Sequence, residues 1–224
     1  MPEHNTENIL CRGIDYTFIS LISDKTNVLI IGGGRAGFIK AKTFSKKGCN
    51  LTVVSKEFCE DFNSIESFSN VRLIKSEYNR EYILNNHLIV IAVNNEEINS
   101  LIKKHCNELS KLYLDCTDFK KGLFVVPCQR STNVTSFGIN TKGGSPKTSR
   151  YLANKLSKVL YEYDSFVEYS YSLRNRIKDF HNKDEIMEFV ASEDFYFFYK
   201  KNQHENILKM FYDGGNNFEI NSCY

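Results

Sequence analysis

The sequence predicts an α/β fold: a mainly parallel sheet first, then a small β extension, then a helical C-terminal part. Three observations carry this expectation. Residues 28–31 read Val-Leu-Ile-Ile and stop at glycines spaced G-x-G-x-x-G, namely Gly32, Gly34 and Gly37. A parallel strand covered by helices on both faces has this continuous apolar character. Further strand-like segments alternate with helical ones as far as Asp118, which is the pattern of a doubly wound sheet. Beyond Pro146 the pattern changes, with no further proline and no glycine until Gly214, as befits a run of helices.

Each element follows in order. Ala36 to Lys47 holds good helix formers with a mixed apolar face, and Gly48 stands where a helix-ending glycine belongs. Leu51 to Ser55 is predicted as the second strand, Val71 to Ile74 as the third and Leu88 to Val93 as the fourth. A helix from about Glu96 to Cys106 leads to a fifth strand, Leu112 to Thr117. Residues 1–118 thus read as a Rossmann-like nucleotide-binding domain. Leu123 to Val126 and Val134 to Ile139 are strand-like with no helix between them, so residues 119–144 are predicted as an antiparallel extension. Over residues 145–224, Leu152, Leu156, Val159, Leu160 and Tyr163 recur at helical spacing, and helices should continue to about Met210. The polar stretch Asp213 to Asn217 and the residues before Cys11 are expected to be loose ends.

Composition narrows the function classes. A net charge of +2 with interspersed signs over 224 residues gives no nucleic-acid footprint. No apolar run is long enough to span a bilayer, and the polar residues Met1 to Asn8 contain no signal core, so a cytoplasmic protein is expected. Seven cysteines, an odd number without any C-x-x-C pair, point to reduced thiols. The five histidines are scattered and have no zinc-ligand spacing, so no resident metal is predicted.

The glycine loop carries the chemistry. Gly32, Gly33, Gly34, Arg35, Ala36 and Gly37 connect a strand to a helix N-terminus, where free N–H groups and the helix dipole favour a pyrophosphate. The bland alternative is a tight turn with no ligand. The ribose of an adenosine would meet the end of the second strand, here Ser55, Lys56 and Glu57. Ser55 can hydrogen-bond a ribose hydroxyl. Lys56 could take a 2′-phosphate, but Glu57 would repel one, and NAD is therefore favoured over NADP.

Three segments in order extend the argument: Gly32-Gly33-Gly34 with Lys40, Ala92-x-Asn94-Asn95-x-x-x-Asn99, and Asn140-Thr141-Lys142-Gly143-Gly144-Ser145-Pro146. Together they resemble the precorrin-2 dehydrogenase/sirohydrochlorin chelatase family of siroheme synthesis, over about Tyr16 to Phe211. The resemblance implies oxidation of precorrin-2 to sirohydrochlorin with NAD, and in some members insertion of Fe²⁺ or Co²⁺ into the product. It implies that Val93, Asn94 and Asn95 line the cofactor site. It also implies a catalytic aspartate ending the fifth strand, for which Asp118 and Asp115 are the candidates. Counting back from Pro127 favours Asp118, while Asp115 replaces the family's asparagine and Val93 its threonine. By the same resemblance the chain would pair as a homodimer through its middle region.

A tetrapyrrole bears many carboxylates, so cations should meet it. Arg130, Lys142, Lys147 and Arg150, with the Thr141 and Ser145 turn, are the candidates. On residue chemistry alone these are equally a solvated helix start. The run Phe195 to Tyr199 reads as core or subunit contact, and His87, His105, His181 and His204 are assigned no role. The rival class is a non-catalytic NAD(H) sensor, which would share the glycine loop without needing the aspartate or the Gly-Gly-Ser-Pro turn.

Overall fold

The computed structural model describes residues 14–212. They fall into two compact units, Tyr16–Val126 in one and the described residues from Pro127 onward, with Ile14 and Asp15, in the other.

In the first unit, β1 (Asn27–Gly33), β2 (Asn50–Phe58), β3 (Val71–Lys75), β4 (Leu88–Ile91) and β5 (Leu112–Asp115) form one sheet in the order β3-β2-β1-β4-β5. All neighbours are parallel. Side chains alternate between two cores, as the pleat requires. Val28, Ile30, Val53, Leu88, Val90 and Leu114 pack with Phe38 and Ala41 of α1 (Arg35–Lys46). On the other face, Leu29, Ile31, Val54, Ile89, Ile91 and Tyr113 pack with Ile83 of α2 (Glu81–Leu84) and with Ile102 and Cys106 of α3 (Glu96–Glu108). Burial on both faces is why β1 and β4 are continuous aliphatic runs, each such side chain contributing about 1.5–3 kcal/mol.

α1 stops where the sequence predicted. Gly48 takes φ +85°, its N–H donating to Ser45 O and that of Cys49 to Phe44 O, which closes the last turn in a left-handed cap. The chain then crosses from β3 to the far side of β1, so that β1 and β4 are neighbours whose onward connections diverge. Such a switch point leaves a crevice at the C-terminal strand ends.

The second unit opens with an antiparallel pair, β6 (Cys128–Ser131) and β7 (Ser136–Ile139), against which α4 (Pro146–Tyr161) packs. Pro146 sits in the first turn of α4, where its missing N–H costs nothing. α5 (Asp164–Arg176), α6 (Lys183–Val190), α7 (Glu193–Lys200) and α8 (His204–Tyr212) enclose a core of Leu173, Ile177, Ile186, Val190, Phe195 and Leu208. Phe195 is fully buried, with Phe189 edge-on to it at 5.4 Å. Of the aromatic run, Phe195 belongs to this core, whereas Phe197 is exposed.

The structure departs from the sequence expectation in the middle region. Leu123 to Val126 does not form a strand. Leu123 and Phe124 instead donate to Tyr113 O, and Phe124 and Val126 pack on the core around Leu114. The first strand of the extension comes after Pro127, and the division between units falls at Val126 rather than at Asp118. The short α2 has no counterpart in the sequence reading. The stretch 213–217 and the residues before Cys11 lie outside the described residues.

Candidate active site

At the C-terminal ends of β1 to β4 lies a cleft of about 450 Å³, lined by Gly32, Gly33 and Gly34, by Ser55, Lys56 and Glu57, by Ser76, Glu77 and Tyr78, and by Ala92 to Asn95. Backbone geometry explains most of its glycines. Gly32 has φ +119°, and a Cβ there would come within 2.3 Å of Ala92 O. A Cβ at Gly33 would reach 2.2 Å from Glu57 O, and one at Gly37 2.1 Å from Gly32 O. These three are glycines because the strand, turn and helix pack backbone to backbone.

Gly34 is different. It takes φ −80°, a conformation open to any residue, and a Cβ there would have no atom within 4 Å. No contact of the fold requires glycine at this position. It caps α1 without a side-chain hydrogen bond, so the first-turn amides of the helix face outward over an open space. A pyrophosphate needs this: backbone donors it can approach closely, at the positive end of a helix dipole. Arg35 and Ala36 are exposed on the same turn. The residues present therefore fit a dinucleotide.

Across the switch point, the Asn95 side chain caps α3 by accepting from Ile98 N at 2.9 Å, while Val93 and Asn94 line the cleft. Asn99, one turn further on, is buried, and its Oδ1 has no partner among the described residues. On the far wall Lys56 Nζ pairs with Glu77 Oε1 at 2.8 Å, and Tyr78 Oη meets His105 Nδ1 at 2.8 Å. Partial burial pushes the Tyr78 phenol up to about 12, so it stays protonated at neutral pH.

The two aspartates beyond β5 have different surroundings. Asp115 is buried, and its Oδ2 meets the Lys103 ammonium at 2.5 Å. Its Oδ1 accepts from Thr117 Oγ1 at 2.6 Å, Thr117 N at 2.8 Å and Asp118 N at 3.3 Å. Burial alone would raise its pKa, but Lys103 and these donors outweigh burial and hold it at about 2. Such a carboxylate is ionised at neutral pH, and its Oδ1 is already taken up by the turn. Asp118 is half-buried and caps the single 3₁₀ turn Phe119–Lys121, its Oδ1 accepting from Lys120 N at 3.0 Å. Its second oxygen remains available.

Comparison with known proteins gives this geometry a family. Residues 19–128 match a family model described as putative NAD(P)-binding. A precorrin-2 dehydrogenase from Priestia megaterium is 28% identical over 149 residues, covering 66% of this chain and 73% of that protein. A putative precorrin-2 dehydrogenase from Methanocaldococcus jannaschii is 31% identical over 142 residues, covering 60% of this chain and 68% of the relative. The chain belongs to the precorrin-2 dehydrogenase family. Siroheme synthase 3 from Aeromonas hydrophila is 25% identical over 166 residues, of which this chain spans only 36% of the length. The solved structure of SirC, a precorrin-2 dehydrogenase, superposes with a TM-score of 0.65 over 87% of this chain and all of that one, at 22% identity. That likeness bears on the fold.

Within the family frame, the sequence candidates separate into two groups. The cofactor candidates Gly32 to Gly34, Ser55, Lys56 and Val93 to Asn95 share one cleft in the first unit. The substrate candidates all lie in the second unit, and not all of them are free. The Arg130 guanidinium donates to Asn154 Oδ1 at 3.0 Å and to Gln129 O at 2.8 Å. Lys142 pairs with Asp15 at 2.9 Å. Thr141 Oγ1 accepts from Ser145 N, and Ser145 Oγ meets Thr148 Oγ1, both at 2.8 Å, which shapes the turn into α4. Lys147 and Arg150 are exposed in the first turns of that helix. Sequence reasoning passed over Glu77 and Tyr78, which follow β3 and enter the cleft because β3 pairs with β2. Lys103, the partner of Asp115, was passed over as well.

Proposed function

We propose that this protein is an NAD-dependent precorrin-2 dehydrogenase that forms sirohydrochlorin. The observation that carries the reading is Gly34, a glycine with neither a strained φ nor a steric neighbour, at the mouth of a cleft built on the switch point. Its explanation is a ligand that must touch the backbone. The names of the family relatives supply the substrate.

In this reading the Gly32 to Gly37 turn holds the pyrophosphate, and Ser55 with the β3 end holds the adenosine ribose. NAD⁺, when bound, takes up the hydride. Asp118 accepts the accompanying proton from the substrate at its free carboxylate oxygen. Asp115 is the positioning residue: it fixes the Thr117 and Asp118 amides and so sets where the Asp118 side chain begins. Lys147 and Arg150, both exposed on α4, are the cation candidates for substrate carboxylates, whereas Arg130 serves the β6–α4 packing.

Metal insertion with Fe²⁺ or Co²⁺ as substrate is a second reading, supported by the similarity to siroheme synthases. The same carboxylate would take protons from the pyrrole nitrogens. A homodimer is supported by α4, which exposes Leu152, Leu156 and Val159. The five described cysteines are free, in keeping with a reducing cytoplasm.

The test is anaerobic incubation with enzymatically generated precorrin-2 and NAD⁺, following NADH formation and the sirohydrochlorin spectrum together. Both signals should rise in step. Retained NAD binding without either signal would overturn the dehydrogenase and leave the NAD(H) sensor.

A further inference from the structure

Lys56 and Glu77 close the far wall of the cleft, one from the end of β2 and the other from just beyond β3. The strands pair in register as far as Ser55 and Lys75, and Ser76 N donates to Ser55 O, so the two side chains are brought opposite each other by the sheet itself. Both are exposed, at 68% and 78%, yet they pair at 2.8 Å. An ion pair this exposed contributes little to stability. Its position gives it another use. In a cleft of this kind the adenosine ribose lies against the end of the second strand, and whatever charge stands there decides between a free 2′-hydroxyl and a 2′-phosphate.

We propose that Glu77 is the residue that selects NAD over NADP, by occupying Lys56 and presenting a carboxylate to the ribose. This rests on the nucleotide reading of the cleft given above. A lone lysine here would attract a 2′-phosphate as a point charge. With Glu77 beside it the Lys56 charge is offset, a phosphate dianion meets a carboxylate, and a 2′-hydroxyl finds an acceptor. Ser55 and Ser76, which line the same wall, suit a hydroxyl equally. The sequence expectation gave this repulsion to Glu57, which lines the same cleft; the carboxylate that pairs with Lys56 is that of Glu77.

The experiment is calorimetric titration of the full chain with NAD⁺ and with NADP⁺, for the wild type, Glu77→Gln, and Glu77→Gln combined with Lys56→Ala. Glu77→Gln is expected to tighten NADP⁺ binding about tenfold and weaken NAD⁺ binding several-fold, about the effect of one charge-assisted hydrogen bond. The NADP⁺ gain should shrink as salt is raised and vanish in the double variant, because it is a charge effect carried by Lys56. An unchanged ratio of the two affinities in Glu77→Gln, with NAD⁺ still bound, would overturn the assignment of Glu77 and leave the nucleotide site standing. Binding of neither nucleotide by the wild type would overturn the nucleotide reading itself.

Discussion

The Lys103 ammonium and the Asp115 carboxylate meet at 2.5 Å, with the Asp115 side chain fully buried and that of Lys103 one-fifth exposed. The pair ties the middle of α3 to the end of β5, directly before the turn that carries Asp118. Removing one partner of such a pair leaves the other charged and desolvated. Asp115→Ala should therefore destabilise the first unit by about 3–5 kcal/mol, measured by urea unfolding. Asp115→Asn keeps an acceptor for Thr117 and Asp118 and should cost less. Equal losses for the two variants would show that the charge, and not the turn, is what matters.

The same site predicts an acid limit. The Asp115 pKa falls from 3.8 to about 2 on folding, so the proton binds the unfolded chain more tightly than the folded one. Stability from this group is complete above pH 4 and is lost as pH falls toward 2, a change of about 2 kcal/mol. In Asp115→Asn that part of the acid dependence should be missing. An unaltered midpoint of acid unfolding in the variant would contradict it.

Asp118→Asn separates chemistry from binding. The substitution preserves an acceptor for the Lys120 amide, so the 3₁₀ turn should hold. A neutral carboxamide cannot take up a proton, and kcat should fall by about 10²–10⁴-fold. The NAD⁺ dissociation constant should not change, since no cleft-lining residue is altered. Turnover equal to the wild type would transfer the proton-accepting role elsewhere.

The sheet was legible because burial on both faces leaves one kind of sequence, as in Val28 to Ile31 and Leu88 to Ile91. The glycine loop was legible because close backbone packing tolerates no side chain at Gly32, Gly33 or Gly37. The first extension strand was misplaced for a related reason. Leu123 to Val126 has the apolar character of a strand, but that character reflects packing on Leu114, whereas the observed β6 (Cys-Gln-Arg-Ser) is too polar to stand out. Glu77 and Lys103 were hidden because their partners, Lys56 and Asp115, lie 21 and 12 residues away in sequence, and only the strand order and the helix packing bring them together. A lysine in the middle of a helix carries no local mark of the strand end it will meet.

The exposed face of α4 predicts the oligomeric state. Leu152, Leu156 and Val159 follow an i, i+4, i+7 spacing and are 40–50% exposed, although α4 buries only Ser149 and Ala153 within its own unit. Light scattering should give twice the 26.0 kDa chain mass at micromolar concentration, and Leu156→Glu should give the single chain. A wild-type monomer would remove the homodimer.

The glycines allow the sharpest contrast, because Gly34 and Gly37 belong to one motif and are glycines for different reasons. At Gly37 a Cβ would press to 2.1 Å from Gly32 O, and no flexible side chain is there to yield. Gly37→Ala must push α1 off β1 and should lower stability by several kcal/mol, affecting nucleotide binding only through the fold. At Gly34 the backbone is unstrained and the space is open, so Gly34→Val should leave the melting temperature within a few degrees of the wild type. Its side chain would instead fill the ground where the pyrophosphate approaches the helix amides. NAD⁺ affinity should fall at least a hundredfold in calorimetry while the circular dichroism spectrum is unchanged. If Gly34→Val bound NAD⁺ normally, the open space at Gly34 would not be the phosphate site, and the nucleotide would have to be held by contacts other than these amides.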